Sequence, residues 1–275
     1  GIIYCGSQKR VEFLYQHLKS LYANILYYHA GLDSDFRLLQ QQTFYDSPNA
    51  IMIATLAFGM GIDKKDIRFI LHYDIPGRMD QLIQESGRAG RDNLPAQHYL
   101  LYHPKHFFQF NLWRIAKAET IRRSLLIEEL RIMSQFVKAT SCFKQQIVHY
   151  FEHTVIESCQ ACEACLHPNT IKISPVDALK LMSCIYRLGH AAELHLIIAV
   201  LVGDKSQTKS KNHKHLSTYG IGYEKSTGYW YHVLLHLFSQ SLITISLTSP
   251  PYWKITHGGG VWLKEQKIED MLTTH

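Results

Sequence analysis

The chain has 275 residues, a length that fits two or three domains of ordinary size. Hydrophobic residues make up 46% of the chain and charged residues 19%, a balance that excludes intrinsic disorder. No apolar run is long enough to cross a bilayer, so we expect no membrane partner. The formal net charge of +6 suits a partner that carries phosphates, but charge alone does not identify one.

The first hundred residues alternate short apolar runs with helical patterns. Ser7 and Ser34 are predicted to begin two helices, and a third spans Arg78 to Ser86. Strands alternating with helices predict an α/β unit whose parallel sheet is covered on both faces. In such sheets ligands bind at the carboxyl ends of the strands. The predicted strands are Ile2–Cys5, Ile25–Tyr28, Ala50–Ala54, Arg68–Tyr73 and His98–Leu101.

The rest of the chain changes character. A helical pattern runs from about Pro104 to Gln135, and a cysteine-rich segment follows it. Three helices, a polar loop over 203–223 and a two-stranded ribbon then predict a winged-helix domain. We therefore expect three domains, at 1–103, 104–170 and 171–275. The last of them contains predicted helices at Val176–Leu188, Glu193–Leu201 and Gly228–Ser239, and predicted strands at Leu242–Leu247 and Tyr252–Thr256.

One segment reads Gln84-Glu85-Ser86-Gly87-Arg88-Ala89-Gly90-Arg91-Asp92. Two arginines three residues apart share one face of a helical turn. Guanidinium groups suit the spread charge of a phosphoryl group in transfer. The alternative is a pair of surface arginines that make ion pairs with Glu85 or Asp92.

A second segment runs from Ile53 to Lys64 and begins where a predicted strand ends. Thr55 can donate to a nucleic-acid phosphate, and Asp63 can accept from a ribose or orient an arginine. Gly59 and Gly61 permit unusual backbone conformations, although a lone Gly-x-Gly usually marks only a turn.

Both segments resemble motifs of the RecQ family of helicases. Ile2–Ser7, the segment Tyr28-His29-Ala30-Gly31-Leu32, the Thr55 segment and the arginine segment stand in the family's order. The resemblance implies the second RecA-like lobe of an ATP-dependent DNA helicase that moves 3′ to 5′ in recombination and repair. Asn93 stands where the family commonly has glycine. The resemblance implies catalytic roles for Arg88 and Arg91, nucleotide contacts from Gly59, Gly61, Asp63, Gln84, Arg88 and Arg91, and DNA contacts from His29 and Thr55.

Two elements of an ATP site are missing from the sequence. It holds no Gly-x-x-x-x-Gly-Lys-Ser/Thr loop and no Asp-Glu-x-His box. In these motors both lie in the first lobe, where they cradle the triphosphate and Mg²⁺. The chain also lacks an initiator methionine. We therefore expect a fragment that binds ATP and Mg²⁺ only together with the missing lobe and is inactive alone.

The cysteines cluster. Cys159, Cys162 and Cys165 form two overlapping Cys-x-x-Cys steps, and Cys142 precedes them. Four thiolates suit a closed tetrahedral Zn²⁺ site that is structural rather than catalytic, and the spacing matches the RecQ zinc module. The alternatives are a site with three cysteines and one of His149, His153 and His167, a redox pair, or free buried cysteines. Cys5 and Cys184 lie in apolar runs and are expected to be buried.

The predicted winged helix carries a basic loop with Lys205, Lys209, Lys211, His213, Lys214 and His215, followed by Ser217-Thr218-Tyr219-Gly220-Ile221-Gly222. This string resembles a loop that lies near DNA in the RecQ family, which implies phosphate contacts from Lys214, Ser217 and Tyr219. Tyr223 stands where many members have lysine, and a solvated surface loop is the alternative. At the ribbon, Tyr252 is either a base-stacking wedge or core, and Trp253 is expected in the core.

Function therefore has three candidate classes. The first is the ATP-dependent DNA helicase, with single-stranded DNA, the duplex junction and ATP as partners. The second is a non-enzymatic zinc and winged-helix module that binds DNA and regulates. The third is another translocase, such as an RNA helicase, which the four cysteines disfavour. We expect a monomer, and a cytoplasmic, nucleoid-associated protein of bacterial type.

Overall fold

The computed structural model describes residues 1–59, 62–138, 141–168, 172–208 and 211–273. The chain forms two compact units, Gly1–Phe110 and Asn111–His275. In the described ranges, none of the helices combines the length and the apolar character that a bilayer crossing requires.

The first unit is built on a parallel sheet of five strands in the order β2-β3-β1-β4-β5. Strand β1 lies at its centre, and its Ile3 pairs with Ile53 on one side and Leu71 on the other. The predicted α/β class and all five predicted strands are confirmed, with ends that differ by one residue at most. The strands are β1 Ile2–Tyr4, β2 Ile25–Tyr28, β3 Ile51–Ala54, β4 Phe69–His72 and β5 Gln97–Leu100.

Both faces of this sheet are covered, as the uninterrupted apolar strands predict. Ile2 and Tyr4 point to one face, where they join a buried cluster with Phe44. Cys5 and Val11 belong to a cluster on the other face. The edge strand β5 is largely exposed, and His72 on β4 is a buried polar residue within the sheet.

Four helices accompany this sheet in sequence: α1 Gln8–Leu18, α2 Ser34–Asp46, α3 Met79–Ser86 and α4 Pro104–Lys117. The predicted cap of α1 is confirmed, because the Ser7 side chain accepts a hydrogen bond from the Arg10 amide. The predicted cap of α2 is wrong. Asp33 caps this helix by accepting from the Asp35 amide at 2.9 Å, and Ser34 is already the first helical residue.

The second unit is mostly helical and contains the predicted ribbon, an antiparallel pair of strands that precedes the last helix. The continuous helical pattern over 104–135 is in fact two helices, because α4 ends at Lys117 and α5 begins at Thr120. Four helices, α6, α7, α10 and α12, were not predicted, and α10 lies in the segment predicted as a polar loop. The elements are α5 Thr120–Val137, α6 Phe143–Glu152, α7 Glu163–Leu166, α8 Pro175–Leu188, α9 Leu194–Val202, α10 Lys211–Lys214, α11 Thr227–Ser239, β6 Ile243–Ile245, β7 Trp253–Ile255 and α12 His257–Thr273.

Candidate functional site

A buried carboxylate anchors the helix that leads into the arginine segment. Glu85, in the last turn of α3, is 2% exposed. Its Oε2 lies 2.6 Å from Nε2 of His72 on β4, and its Oε1 accepts from the Gln81 side chain. The other ring nitrogen of His72 lies 2.8 Å from Nε2 of His98 on β5. The sheet therefore fixes α3 directly before the two arginines.

Arg88 is buried, with 6% of its surface exposed. Its guanidinium lies beside the Tyr4 hydroxyl, which donates to the Phe58 carbonyl at 3.1 Å. A Cβ on Gly59 would lie 2.8 Å from Nη2 of Arg88, so any larger residue there would displace the guanidinium from this position. Burial raises the pKa of the Tyr4 phenol, and the nearby Arg88 charge offsets only part of that shift.

The Nε of Arg88 is buried and has no hydrogen-bond partner among the described residues. A buried guanidinium nitrogen without a partner is costly, which is typical of a group that a ligand satisfies. The arginine segment therefore fits an anionic group such as a nucleotide phosphate.

Arg91 lies nearer the surface, with 37% of its side chain exposed. Its Nη1 donates to the Ile62 carbonyl and to Oδ1 of Asp63, each at 3.0 Å. Asp63 is thus placed to orient an arginine, one of the two roles expected for it. The alternative ion pairs with Glu85 or Asp92 do not describe these arginines, because Glu85 contacts His72 and Asp92 pairs with Arg68.

The Asp92 pair is structural. Both Asp92 carboxylate oxygens lie 2.6 Å from Nη2 of Arg68, which lowers the pKa of this carboxyl. Asn93 has a φ of 62°, and Gly90 a φ of 67°. The left-handed backbone at Asn93 explains why glycine is common at this position. Asparagine also tolerates this conformation. Gln84 is exposed on α3. Gly61, expected to contact nucleotide, lies outside the described residues.

The two residues expected to grip DNA follow neighbouring strands. Thr55 directly follows β3, is half-buried, and its amide donates to the Tyr28 carbonyl. His29 directly follows β2 but is only 3% exposed. Its Nε2 lies 3.3 Å from a Glu12 carboxylate oxygen, and neither ring nitrogen has a well-directed hydrogen bond among the described residues.

The four cysteines converge. Cys142 and Cys162 stand just before α6 and α7, so both helix starts aim their sulfurs inward. The four Sγ atoms lie within 4.8 Å of one another. The distance is 3.5 Å from Cys162 to Cys165, 3.9 Å from Cys162 to Cys142 and 4.0 Å from Cys159 to Cys165. Tetrahedral Zn²⁺ with bonds of about 2.3 Å places sulfurs roughly 3.8 Å apart.

Backbone amides support this set of thiolates. The amide of Cys159 donates to the Cys142 sulfur and that of Cys162 to the Cys159 sulfur, each at 3.3 Å. Burial by itself raises the pKa of Cys142, but amide hydrogen bonds outweigh it and bring the pKa to about 6. All six cysteines are free thiols, and no histidine joins the cluster in the described part of the chain. The arrangement fits one structural Zn²⁺ held by Cys142, Cys159, Cys162 and Cys165.

Helix α11, the third helix of the predicted winged helix, is enclosed. Every side chain from Trp230 to Ser239 is buried or half-buried. On α5, Arg131 donates to the Phe238 carbonyl at 2.6 Å and lies over the Phe238 ring at 4.6 Å. Arg123 of α5 donates to the Leu247 carbonyl at 2.7 Å. Sequence reasoning missed these arginines, because a helical pattern does not show that a cation is buried against distant carbonyls.

The glycines of the loop expected near DNA have packing roles. A Cβ on Gly222 would lie 2.4 Å from the Trp230 ring, whose Nε1 donates to the Gly222 carbonyl. The Tyr219 hydroxyl donates to the Gly203 carbonyl at 2.9 Å. Lys214 and Ser217 are exposed. Lys209 lies outside the described residues, and the side chain of Lys211 is not described.

The ribbon separates its two aromatic residues. Trp253 is 1% exposed, which confirms its predicted place in the core. The predicted burial of Cys5 and Cys184 is also confirmed, since they are 5% and 0% exposed. Tyr252 is half-buried, and its ring meets the His190 ring edge-on at a centroid distance of 4.7 Å. Tyr252 is therefore neither fully core nor fully exposed.

Comparison with known proteins assigns families to all three regions. Residues 1–93 match the helicase conserved C-terminal domain, 105–166 the RecQ zinc-binding domain and 175–273 the RQC domain. The structure resembles that of the C-terminal domain of the DEAD-box protein Dbp5 at 21% identity and a TM-score of 0.37, over 57% of this chain and 71% of that one.

Three curated relatives are each called ATP-dependent DNA helicase RecQ. The Haemophilus influenzae protein is 36% identical over 98% of this chain and 44% of its own length. The Pasteurella multocida protein is 36% identical over 88% and 39%, and the Bacillus subtilis protein 33% identical over 90% and 42%. The chain thus spans less than half the length of these relatives. With its helicase lobe, zinc-binding domain and RQC domain in that order, the chain belongs to the RecQ family and represents its C-terminal region.

Proposed function

We propose that the chain supplies one motor lobe and the duplex-holding part of an ATP-dependent DNA helicase that moves 3′ to 5′ in recombination and repair. One observation carries the nucleotide part of this proposal. An anchored helix delivers two arginines, of which one is buried beneath a glycine and keeps an unsatisfied Nε. An anion that reaches this nitrogen would accept the hydrogen bond that it lacks.

In this proposal Arg88 and Arg91 meet the phosphates of a nucleotide whose other contacts come from a first lobe. ATP with Mg²⁺ supplies the phosphoryl-transfer chemistry. Asp63 holds Arg91 in position before the nucleotide arrives, since the two groups are already 3.0 Å apart. Gly59 leaves space for the Arg88 guanidinium. Gly61 and Gln84 are proposed as further nucleotide contacts from the family resemblance.

DNA contacts are proposed on both units. Thr55 and His29 directly follow neighbouring strands, at the sheet edge where ligands of parallel sheets bind. The His29 ring nitrogens lack well-directed partners in the described chain, so a phosphate would satisfy one of them once the ring is accessible. In the RQC domain, exposed Lys214 and Ser217 suit phosphates, and Tyr252 suits a base. Tyr219 would act through its ring, because its hydroxyl is occupied.

The zinc site has a supporting role in this scheme. Four thiolates leave no open position for water, so no catalytic step occurs there. Helix α5, which precedes the cysteines, holds the RQC domain through Arg123 and Arg131. We propose that bound zinc stabilises this support. We also propose a monomer that works on DNA in the bacterial cytoplasm, associated with the nucleoid.

The test uses the full-length gene product and measures DNA-stimulated ATP hydrolysis and fork unwinding. Arg91→Ala should lower hydrolysis by about 1,000-fold, the lower end of the range for arginine fingers, and leave DNA affinity largely intact. Arg122→Ala, which removes an exposed arginine of α5, is the control and should leave hydrolysis unchanged.

Wild-type hydrolysis by Arg91→Ala would contradict the arginine assignment. A full-length product that binds DNA without any ATPase activity would instead support the non-enzymatic regulatory module.

A further inference from the structure

A cleft of about 460 Å³ opens in the RQC domain between the end of α8, strand β7 and the start of α12. Small-molecule sites span roughly 300–1,000 Å³, so this cleft is large enough for a compact ligand. Ile185 and Trp253 belong to its lining and are 2% and 1% exposed, which places them at its floor. The floor is therefore apolar and rests on the core of the domain.

The rim of the cleft is aromatic. Tyr186 is 79% exposed although Ile185 beside it is core, and Tyr252 lies half-buried next to His190. Flat rings with a polar tip present faces on which another flat ring can stack. A cleft that held only an apolar side chain would not need an aromatic rim. The two tyrosines therefore favour a planar ligand.

The charge of the cleft is one-sided. Lys254 lines it and is exposed, and none of the described residues that line it carries a carboxylate. Arg187, next to Tyr186, is also exposed. A planar ligand with an attached anion fits this lining, and a nucleotide has that chemistry.

The cleft reaches the backbone of α12 at Gly260. A Cβ at this glycine would meet nothing within 4 Å, so a side chain placed there would enter open space. Gly260 therefore allows the cleft to be filled without moving its walls.

We propose that this cleft binds an unpaired nucleobase at the end of a duplex. The base stacks on Tyr186 and Tyr252, and its phosphate lies near Lys254. This inference rests on the proposed DNA-holding function and deepens it. A ribbon tyrosine alone touches only the end of a duplex, whereas the cleft gives a separated base a place outside the stack.

Fluorescence anisotropy of the 275-residue chain tests the proposal with three DNAs: a blunt duplex, the same duplex with one unpaired nucleotide, and that duplex with an abasic nucleotide instead. The unpaired base should tighten binding roughly tenfold over the abasic form, as expected for one stacked base. A 2-aminopurine at the unpaired position should be quenched on binding, since stacking on tyrosine quenches it.

Two variants locate the base. Gly260→Leu fills the cleft, and Tyr186→Ala removes an exposed wall. Both should abolish most of the tenfold preference and leave blunt-duplex affinity and the unfolding midpoint unchanged. Tyr22→Ala removes a tyrosine that is 52% exposed in the other unit and should preserve the preference.

The outcomes separate two failures. A chain that binds none of the DNAs overturns the DNA-holding function and this proposal together. Equal affinity for base and abasic forms, or a preference that survives Gly260→Leu, overturns the cleft assignment alone and leaves duplex binding intact. That second result is the one expected if the cleft holds an apolar peptide side chain.

Discussion

The arginine segment and the cysteine cluster are both compact motifs, but they differ in completeness. The cysteine cluster carries all four ligands within 24 residues of one unit, and its sulfurs already lie within 4.8 Å of one another. The arginine segment instead presents an unsatisfied nitrogen and a partly exposed guanidinium. The residues of the complete cysteine cluster are enough to identify its ligand. The incomplete arginine segment needs further residues from another surface.

The largest expected effect comes from removing one cysteine of the zinc cluster. Cys162→Ser should lower the zinc content from about one ion per chain to near zero. The second unit should then lose several kcal/mol of stability, since zinc binding in small modules contributes on the order of 10 kcal/mol. Metal analysis and thermal unfolding measure both effects.

Cys184→Ser is the matched control for this change. It removes a buried thiol outside the cluster, and the zinc content should stay at one. A Cys162→Ser chain that retains a full zinc equivalent would show that the cluster is not the metal site.

A smaller effect is expected from removing the carboxylate that anchors α3 before the arginine segment. Glu85→Ala removes a buried carboxylate that contacts His72 at 2.6 Å. Breaking a buried pair costs about 3 kcal/mol or more, so the first unit should unfold at lower denaturant. Urea titration followed by tyrosine fluorescence measures the shift.

The control for the anchor is Asp80→Ala on the same helix. Asp80 pairs with Arg78 at 2.6 Å but is exposed, and such pairs are worth at most about 1 kcal/mol. Equal losses for the two variants would contradict an anchoring role for Glu85.

The smallest expected effect is a pH dependence at His98. Burial, and then the neighbouring His72, lower the pKa of His98 to about 4, whereas an unfolded histidine titrates near 6.5. Between these values the unfolded chain binds more protons, so stability is complete above pH 6.5 and falls as the pH drops towards 4. His98 also keeps part of its surface exposed, so solvent screening limits the loss to about 1 kcal/mol.

Denaturation of the wild type and of His98→Gln across this range isolates the contribution. The difference between their unfolding free energies should change with pH below 6.5 and stay constant above it. A constant difference throughout would rule out the depressed pKa. Loss of zinc at low pH affects both proteins equally and cancels.

Local rules predicted most of the elements, and their errors among the predicted elements were at helix ends. Strands of the first unit followed from apolar runs, and Ser7 was a correct cap. Ser34 was wrong because Asp33 next to it competes for the same amides. The helix over 104–135 was drawn as one because its apolar pattern continues past the break at Lys117.

At the sites, contacts between residues close in the chain were easier to predict than contacts between distant ones. Cysteine spacing brings Cys159, Cys162 and Cys165 together, since two short steps leave few ways to arrange them, whereas Cys142 joins them from 17 residues away. The His72–Glu85 contact joins a strand to a helix, and its only sequence sign is a histidine inside an apolar strand. The burial of His29 and of Arg88 depends on packing against residues far along the chain, which no local pattern reports.

The enclosure of α11 has a consequence for what the RQC domain can recognise. Helix-turn-helix proteins identify their targets by inserting such a helix into the major groove, where its side chains meet base edges. A helix held on its flank by α5 has no free face for that task. In the proposed DNA-holding function, contacts with backbone phosphates and stacking on a duplex end remain, and these do not distinguish one base order from another. The proposed helicase function requires that indifference to base order.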